Sequence, residues 1–168
     1  MKRQMFAQTR RFAHALSKVL LAALLCFAAP LLAGTWVDPD TRIPWAYSET
    51  LDDGTSIRPE ANLSGRIVIP AVVAGRRVTE IDSRAFANNT DLTSVTIPEG
   101  VEVIKHEAFE GCTGLTSVTL PNSLGGIWLR AFAGCTALTS IDLPDGLQTI
   151  MSEAFAGCTG LDAVTIPA

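Results

Sequence analysis

Four segments of the chain can be laid over one another without a gap. They are AFANNTDLTSVTIPEG from Ala85, AFEGCTGLTSVTLPNS from Ala108, AFAGCTALTSIDLPDG from Ala131 and AFAGCTGLDAVTIPA from Ala154. Their phenylalanines, Phe86, Phe109, Phe132 and Phe155, recur at a constant interval of 23. The same interval carries Ile81, Ile104, Ile127 and Ile150, then Leu92, Leu115, Leu138 and Leu161, and then Val95, Val118, Ile141 and Val164. Ile97, Leu120, Leu143 and Ile166 follow at the same spacing, each before a proline. A fixed period without slippage means a stack of like units whose equivalent side chains form columns through one shared core.

Each unit can be read locally. In LTSVTIP, Val95 and Ile97 alternate with Ser94 and Thr96, the period-two mark of a strand buried on one face. Pro98 has no N–H to continue a ladder and ends the strand. EGVEVI then turns and runs back with Val101 and Ile104 inward, and HEAFEGCTGL reads as a compact turn or one-turn helix that buries Ala108, Phe109 and Leu115. A single unit buries too little apolar surface to offset the entropy of ordering its own backbone. Stacking is therefore obligatory, with neighbouring coils about 4.8 Å apart.

The start of the chain, up to Ala33, is of another kind. It holds five bases, no Asp or Glu, and the apolar run VLLAALLCFAAPLLA. That order predicts a secretory signal peptide over residues 1–33, cut after Ala33. Pro30 and the shortness of the run argue against a retained spanning anchor. TRRF lacks the residue order of a twin-arginine signal, and Leu25 stands where a lipoprotein signal wants a small residue before Cys26. The expected location is secreted or cell surface. Residues 34–168 carry eight Lys and Arg against seventeen Asp and Glu, a net charge of −9. That balance argues against nucleic acid and an anionic membrane as partners of the mature chain.

The pattern A-F-x-x-C-x-x-L-x-x-V-x-I-P, over residues 63–168, resembles the BspA-type leucine-rich repeat family. The stretch from Ile43 to Phe86 is similar to that family's N-terminal unit. The resemblance implies a leucine-rich repeat solenoid of about five coils, made of short parallel strands plus turn or short-helix segments. An N-terminal hairpin-like cap, turning at LDDGT, would precede them. Residues 34–80 form the capping unit and first irregular coil, and residues 81–168 the repeats of period 23, the last uncapped and open to end-to-end self-association. From Pro70 to Pro98 the interval is 28 rather than 23, which places a five-residue insertion around Gly75. Trp36, Trp45 and Tyr47 are expected to cover the first rung. One departure follows the core Ile, where the family often has Gly and this chain has Asp82, Lys105, Trp128 and Met151.

What the resemblance implies about function is an exported or surface bacterial protein that binds another protein or mediates adhesion, without a reaction or a cofactor. The partner would be an extracellular or cell-surface protein, or a matrix or cell-wall component. The alternative is a structural spacer array, or a fragment of a larger modular surface protein.

The residues that could carry chemistry argue the same way. Cys112, Cys135 and Cys158 occupy one position, which in the first coil is Asn89. A structural column is the simplest reading. Adjacent rungs would bring Cα atoms within disulfide range, yet a ladder seldom offers the needed dihedral and three cysteines leave one over. No Cys-x-x-Cys or neighbouring His suggests a metal, and a catalytic thiol would lack a base. His106 sits where other coils have Ser83, Leu129 and Ser152, a variable position. Asp142 interrupts the column Thr96, Thr119, Thr165, and Asp145 follows in the next turn. Paired carboxylates can do acid–base work or hold calcium, but a shallow strand face supplies no pocket.

Two binding surfaces remain. The strand face of Ser94, Thr96, Ser117, Thr119, Ser140, Asp142 and Thr165 forms a flat polar platform. Trp128 and Leu129, with Met151 one coil on, form either an apolar contact patch or a local repacking of the indole against Gly125 and Gly126.

Overall fold

The computed structural model describes residues 33–50, 54–162 and 164. The stretch expected to be a signal peptide, up to residue 32, most of the LDDGT bend, Thr165 and the final Ile-Pro lie outside these residues. The described chain begins with an antiparallel cap, β1 (Gly34–Val37), β2 (Pro44–Glu49) and β3 (Thr55–Pro59). The solenoid strands are β4 (Gly65–Val68), β5 (Val72–Val73), β6 (Arg76–Ile81), β7 (Leu92–Thr96), β8 (Val103–Ile104), β9 (Ser117–Thr119), β10 (Gly126–Ile127) and β11 (Thr149–Ile150).

Two sheets flank the core. The larger runs β1-β2-β3-β6-β8-β10-β11, and the smaller runs β4-β7-β9 with all neighbours parallel. In the larger sheet β3 is the pivot, antiparallel to β2 and parallel to β6, so the last strand of the cap is also the first rung of the stack. Ile81, Ile104, Ile127 and Ile150 then pair in sequence, so that the repeat period becomes strand register. Among the described residues the solenoid makes about four turns of 23-residue coils; the final strand of the five coils expected from sequence lies largely outside them.

The third side of each coil is a turn. No helix occurs among the described residues, which selects the turn over the one-turn helix for AFEGC and its sisters. The backbone shows why. Arg84, Glu107, Arg130 and Glu153 hold φ of 58°, 58°, 56° and 59°, and Asn88, Gly111, Gly134 and Gly157 hold 59°, 69°, 73° and 73°. Two left-handed residues four positions apart break any right-handed run. They also turn N–H groups along the stacking axis. Phe86, Phe109 and Phe132 donate to the carbonyls of Ala108, Ala131 and Ala154 in the next coil at 2.7, 2.7 and 2.8 Å.

The insertion around Gly75 is a hairpin of β5 on β6, pairing Val72 with Arg77 and Val73 with Arg76. Its two-residue loop, Ala74 and Gly75, has φ of 52° and 82°, the positive pair that a tight hairpin demands.

Between the sheets the phenylalanines stack face to face. Ring centroids of Phe86, Phe109, Phe132 and Phe155 are 4.8, 5.1 and 5.5 Å apart, with planes within 5°. Trp45, fully buried, closes the cap end edge-on to Phe86 at 6.2 Å. Trp36 and Tyr47 pack half-buried against the same core.

Candidate functional site

The strand face expected from the sequence is the outward side of the smaller sheet. Ser94 pairs with Ser117 and Thr96 with Thr119 in register, and the Ser117 hydroxyl donates to the Ser94 hydroxyl at 3.0 Å. Val95 and Val118 point inward between them. Ser140 and Asp142 continue the columns as exposed residues beyond the last strand of that sheet, and Thr165 lies outside the described residues.

Sequence reasoning missed the head of these columns. Register places Arg66 beside Ser94 and Val68 beside Thr96, and Val68 is 62% exposed. The alternation in GRIVIP carried that signal, since Ile67 and Ile69 are its buried members. Among the described residues the face thus begins with a guanidinium and an isopropyl group and runs to the carboxylate of Asp142.

The three cysteines stand in one column, each bonded to the coil before. All three thiols are free, Cys112 and Cys135 buried and Cys158 half-buried. Each Sγ donates to a phenylalanine carbonyl in the coil before. Cys112 reaches Phe86 at 3.0 Å, Cys135 reaches Phe109 at 3.2 Å and Cys158 reaches Phe132 at 3.1 Å. Asn89 heads the column buried, with its amide nitrogen unpartnered among the described residues. Burial pushes the Cys112 thiol up to about 11. Hydrogen bonding with Cys158, and burial, push Cys135 up as well. Cys158, less buried, is lowered to about 7 by its hydrogen bond with Cys135; the buried, protonated thiols of Cys112 and Cys135 fill space and donate weakly rather than attack.

The charged residues of the turn side are tied together across coils. The Arg84 guanidinium binds Glu107, and Arg130 bridges Glu110 and Glu153 at 2.5 and 2.9 Å. On the larger sheet Lys105 bonds Glu80 at 2.6 Å and lies 3.8 Å from Asp82.

The Trp128 patch resolves into two parts. Trp128 and Met151 line one recess of about 480 Å³ with Glu102, Val103, Ser123, Gly125, Gly126, Gln148 and Thr149, whereas Leu129 is exposed but does not line it. A Cβ placed on Gly126 would stand 3.3 Å from Trp128 Nε1 and 3.6 Å from its Cδ1, so the indole lies over the glycine. The indole thus packs against Gly126, and both glycines line the recess beside it. His106, exposed, stacks obliquely on Trp128 with centroids 4.9 Å apart.

Comparison with known proteins agrees with this architecture. The family model described as BspA type leucine rich repeat region matches residues 78–168 in six copies. No curated protein matches the chain. A solved leucine-rich repeat protein from Bacteroides capillosus ATCC 29799 is 31% identical with a TM-score of 0.63, over 71% of this chain and 91% of that one. The T. pallidum leucine-rich repeat protein is 29% identical with a TM-score of 0.59, over 72% and 68%. The pneumococcal vaccine antigen PcpA, 24% identical with a TM-score of 0.57, shares the fold over 66% of this chain and 29% of its own.

Proposed function

The chain belongs to the BspA-type leucine-rich repeat family, and on that premise we propose that it is an exported binding module. It is displayed at or released from the cell surface, and it engages an extracellular protein through the outward face of its smaller sheet without catalysing a reaction. The observation that carries the reading is the lattice itself. Ser94 and Ser117 are hydrogen-bonded at 3.0 Å on strands held in fixed register, beside Thr96 and Thr119. Side chains preset in this way lose little conformational entropy on contact, so more of the gross contact energy is kept as affinity. The exposed Val68 supplies an apolar contact at one margin of an otherwise polar platform. Export is supported by the basic, then apolar, acid-free stretch over residues 1–33.

The test is a binding screen of the purified protein against extracellular-matrix proteins and cell-wall components, repeated with the double substitution Thr96→Arg and Thr119→Arg. Two guanidinium side chains in the middle of the platform are expected to weaken a captured partner at least tenfold. Binding that survives the pair unchanged removes the strand face from the proposal.

A further inference from the structure

The recess beside Trp128 lies on the larger sheet, away from the Ser and Thr columns, and three observations converge on it. The first is its making. In the coils on either side, the positions of Gly125 and Gly126 hold Glu102 and Val103, and Gln148 and Thr149. Removing two side chains from one coil opens a depression about one rung wide, and the Trp128 indole floors part of it by lying over Gly126. The second is its chemistry. The Trp128 indole, in tilted contact with the His106 ring at 4.9 Å, lines the depression together with Met151 and Glu102, and Glu102 is an exposed residue.

The third observation is charge. From residue 78 onward every Lys and Arg among the described residues is already ion-paired: Arg84 with Glu107, Lys105 with Glu80 and Asp82, Arg130 with Glu110 and Glu153. Lys105, the cation nearest Trp128 in register, is drawn the other way, toward Glu80 and the Ser56 hydroxyl at 3.3 Å. Glu102 has no ion-pair partner among the described residues. Nor have Glu99 and Asp145, which share one position of the stacked turns leading into that sheet. The recess is thus an aromatic platform with an uncompensated carboxylate, in a unit whose net charge is −9.

We propose that this recess seats a lysine or arginine side chain of a basic segment in the protein partner. Its cationic head stacks on Trp128 and pairs with Glu102, and its methylene stem lies along Met151. Trp is the best of the aromatic faces for a cation, and a carboxylate at the rim adds direct Coulombic attraction. The acidic unit steers a basic partner toward the site before contact. The inference deepens the protein-binding reading and rests on it for its biological occupant.

The probe is a tetra-arginine peptide, with tetra-glutamate and methyl glucoside as comparators, titrated into the full-length protein while the Trp128 indole N–H resonance is followed. That resonance is assigned by its loss in Trp128→Phe. Tetra-arginine should shift it saturably while the Trp36 and Trp45 signals stay in place, with affinity falling as salt rises. Glu102→Gln, on an exposed side chain, should weaken the response roughly two- to fivefold. No shift, an equal shift with methyl glucoside, or a response indifferent to Glu102→Gln overturns the proposal. The two readings fail separately. A captured partner whose binding ignores both Trp128→Ala and Glu102→Gln sinks the recess and leaves the module. A specific tetra-arginine response with no partner found in the screen upholds the recess and sinks the module.

Discussion

The thiol of Cys135 donates to the carbonyl oxygen of Phe109, 26 residues earlier and one coil below, at 3.2 Å. The same carbonyl accepts the backbone N–H of Cys112 at 3.2 Å, so a cysteine of one coil ties itself to the turn of the coil before. This relation explains the column: the position wants a small body with a weak donor, which Cys supplies.

The two buried thiols, Cys112 and Cys135, should titrate late and react late. Cys112, raised to about 11 from an ordinary value of 9.0, stays protonated in the folded chain while an unfolded chain would release its proton. Its contribution to stability is complete below pH 9 and is lost as pH rises through 11, a change of about 2–3 kcal/mol. Urea unfolding at pH 8 and pH 11 should show that loss in the wild type and a smaller one in Cys112→Ala. In native alkylation, half-buried Cys158 should be modified first, and Cys112 and Cys135 only with unfolding.

The phenylalanine stack should be strongest inside. Phe109 is fully buried between Phe86 and Phe132, so Phe109→Ala is expected to cost about 3–5 kcal/mol. Phe155 has one stacked neighbour among the described residues and is half-buried, so Phe155→Ala should cost roughly half as much. Equilibrium denaturation of the two variants orders them.

Gly134 is needed for its backbone rather than for space. A Cβ there would meet only ordinary contacts at 3.6 Å with Gly111, yet φ is 73°. Gly134→Ala should destabilise by about 1–2 kcal/mol, and Gly134→Asn by less, since Asn88 already occupies this conformation in the first coil. A shift of the urea midpoint measures both.

Gly126→Ala tests the contact between indole and glycine directly. The new methyl would press on Trp128 Nε1 from 3.3 Å, and a half-buried ring on the surface can give way. Stability should change by less than about 1 kcal/mol, while Trp128 emission moves to the red as the ring lifts into water. An unchanged spectrum means the ring is not resting on Gly126.

How much of this was legible beforehand can be read from single residues. Val95, Ile104 and Phe109 were placed inward because alternation and period alone require it, and all three are fully buried. Trp45 was expected over the first rung and stands against Phe86 there. The strands ending at Ile104 and its equivalents were underrated. Each is a short piece between one turn and the next, too brief for a period-two pattern, yet these pieces pair into the larger sheet. Arg66 and Val68 were overlooked because they precede the regular period.

By itself, the sequence determined the repeat, its register and the inward columns. Those properties follow from local alternation and from translation along the chain, and both are written in one dimension. Tertiary structure alone decided which turn carbonyl each cysteine thiol meets, that β3 serves both cap and solenoid, and that Gly125 and Gly126 line a recess together with Trp128. Each of these depends on atoms a full repeat away in the chain and one rung away in space, and only the stacking brings them together.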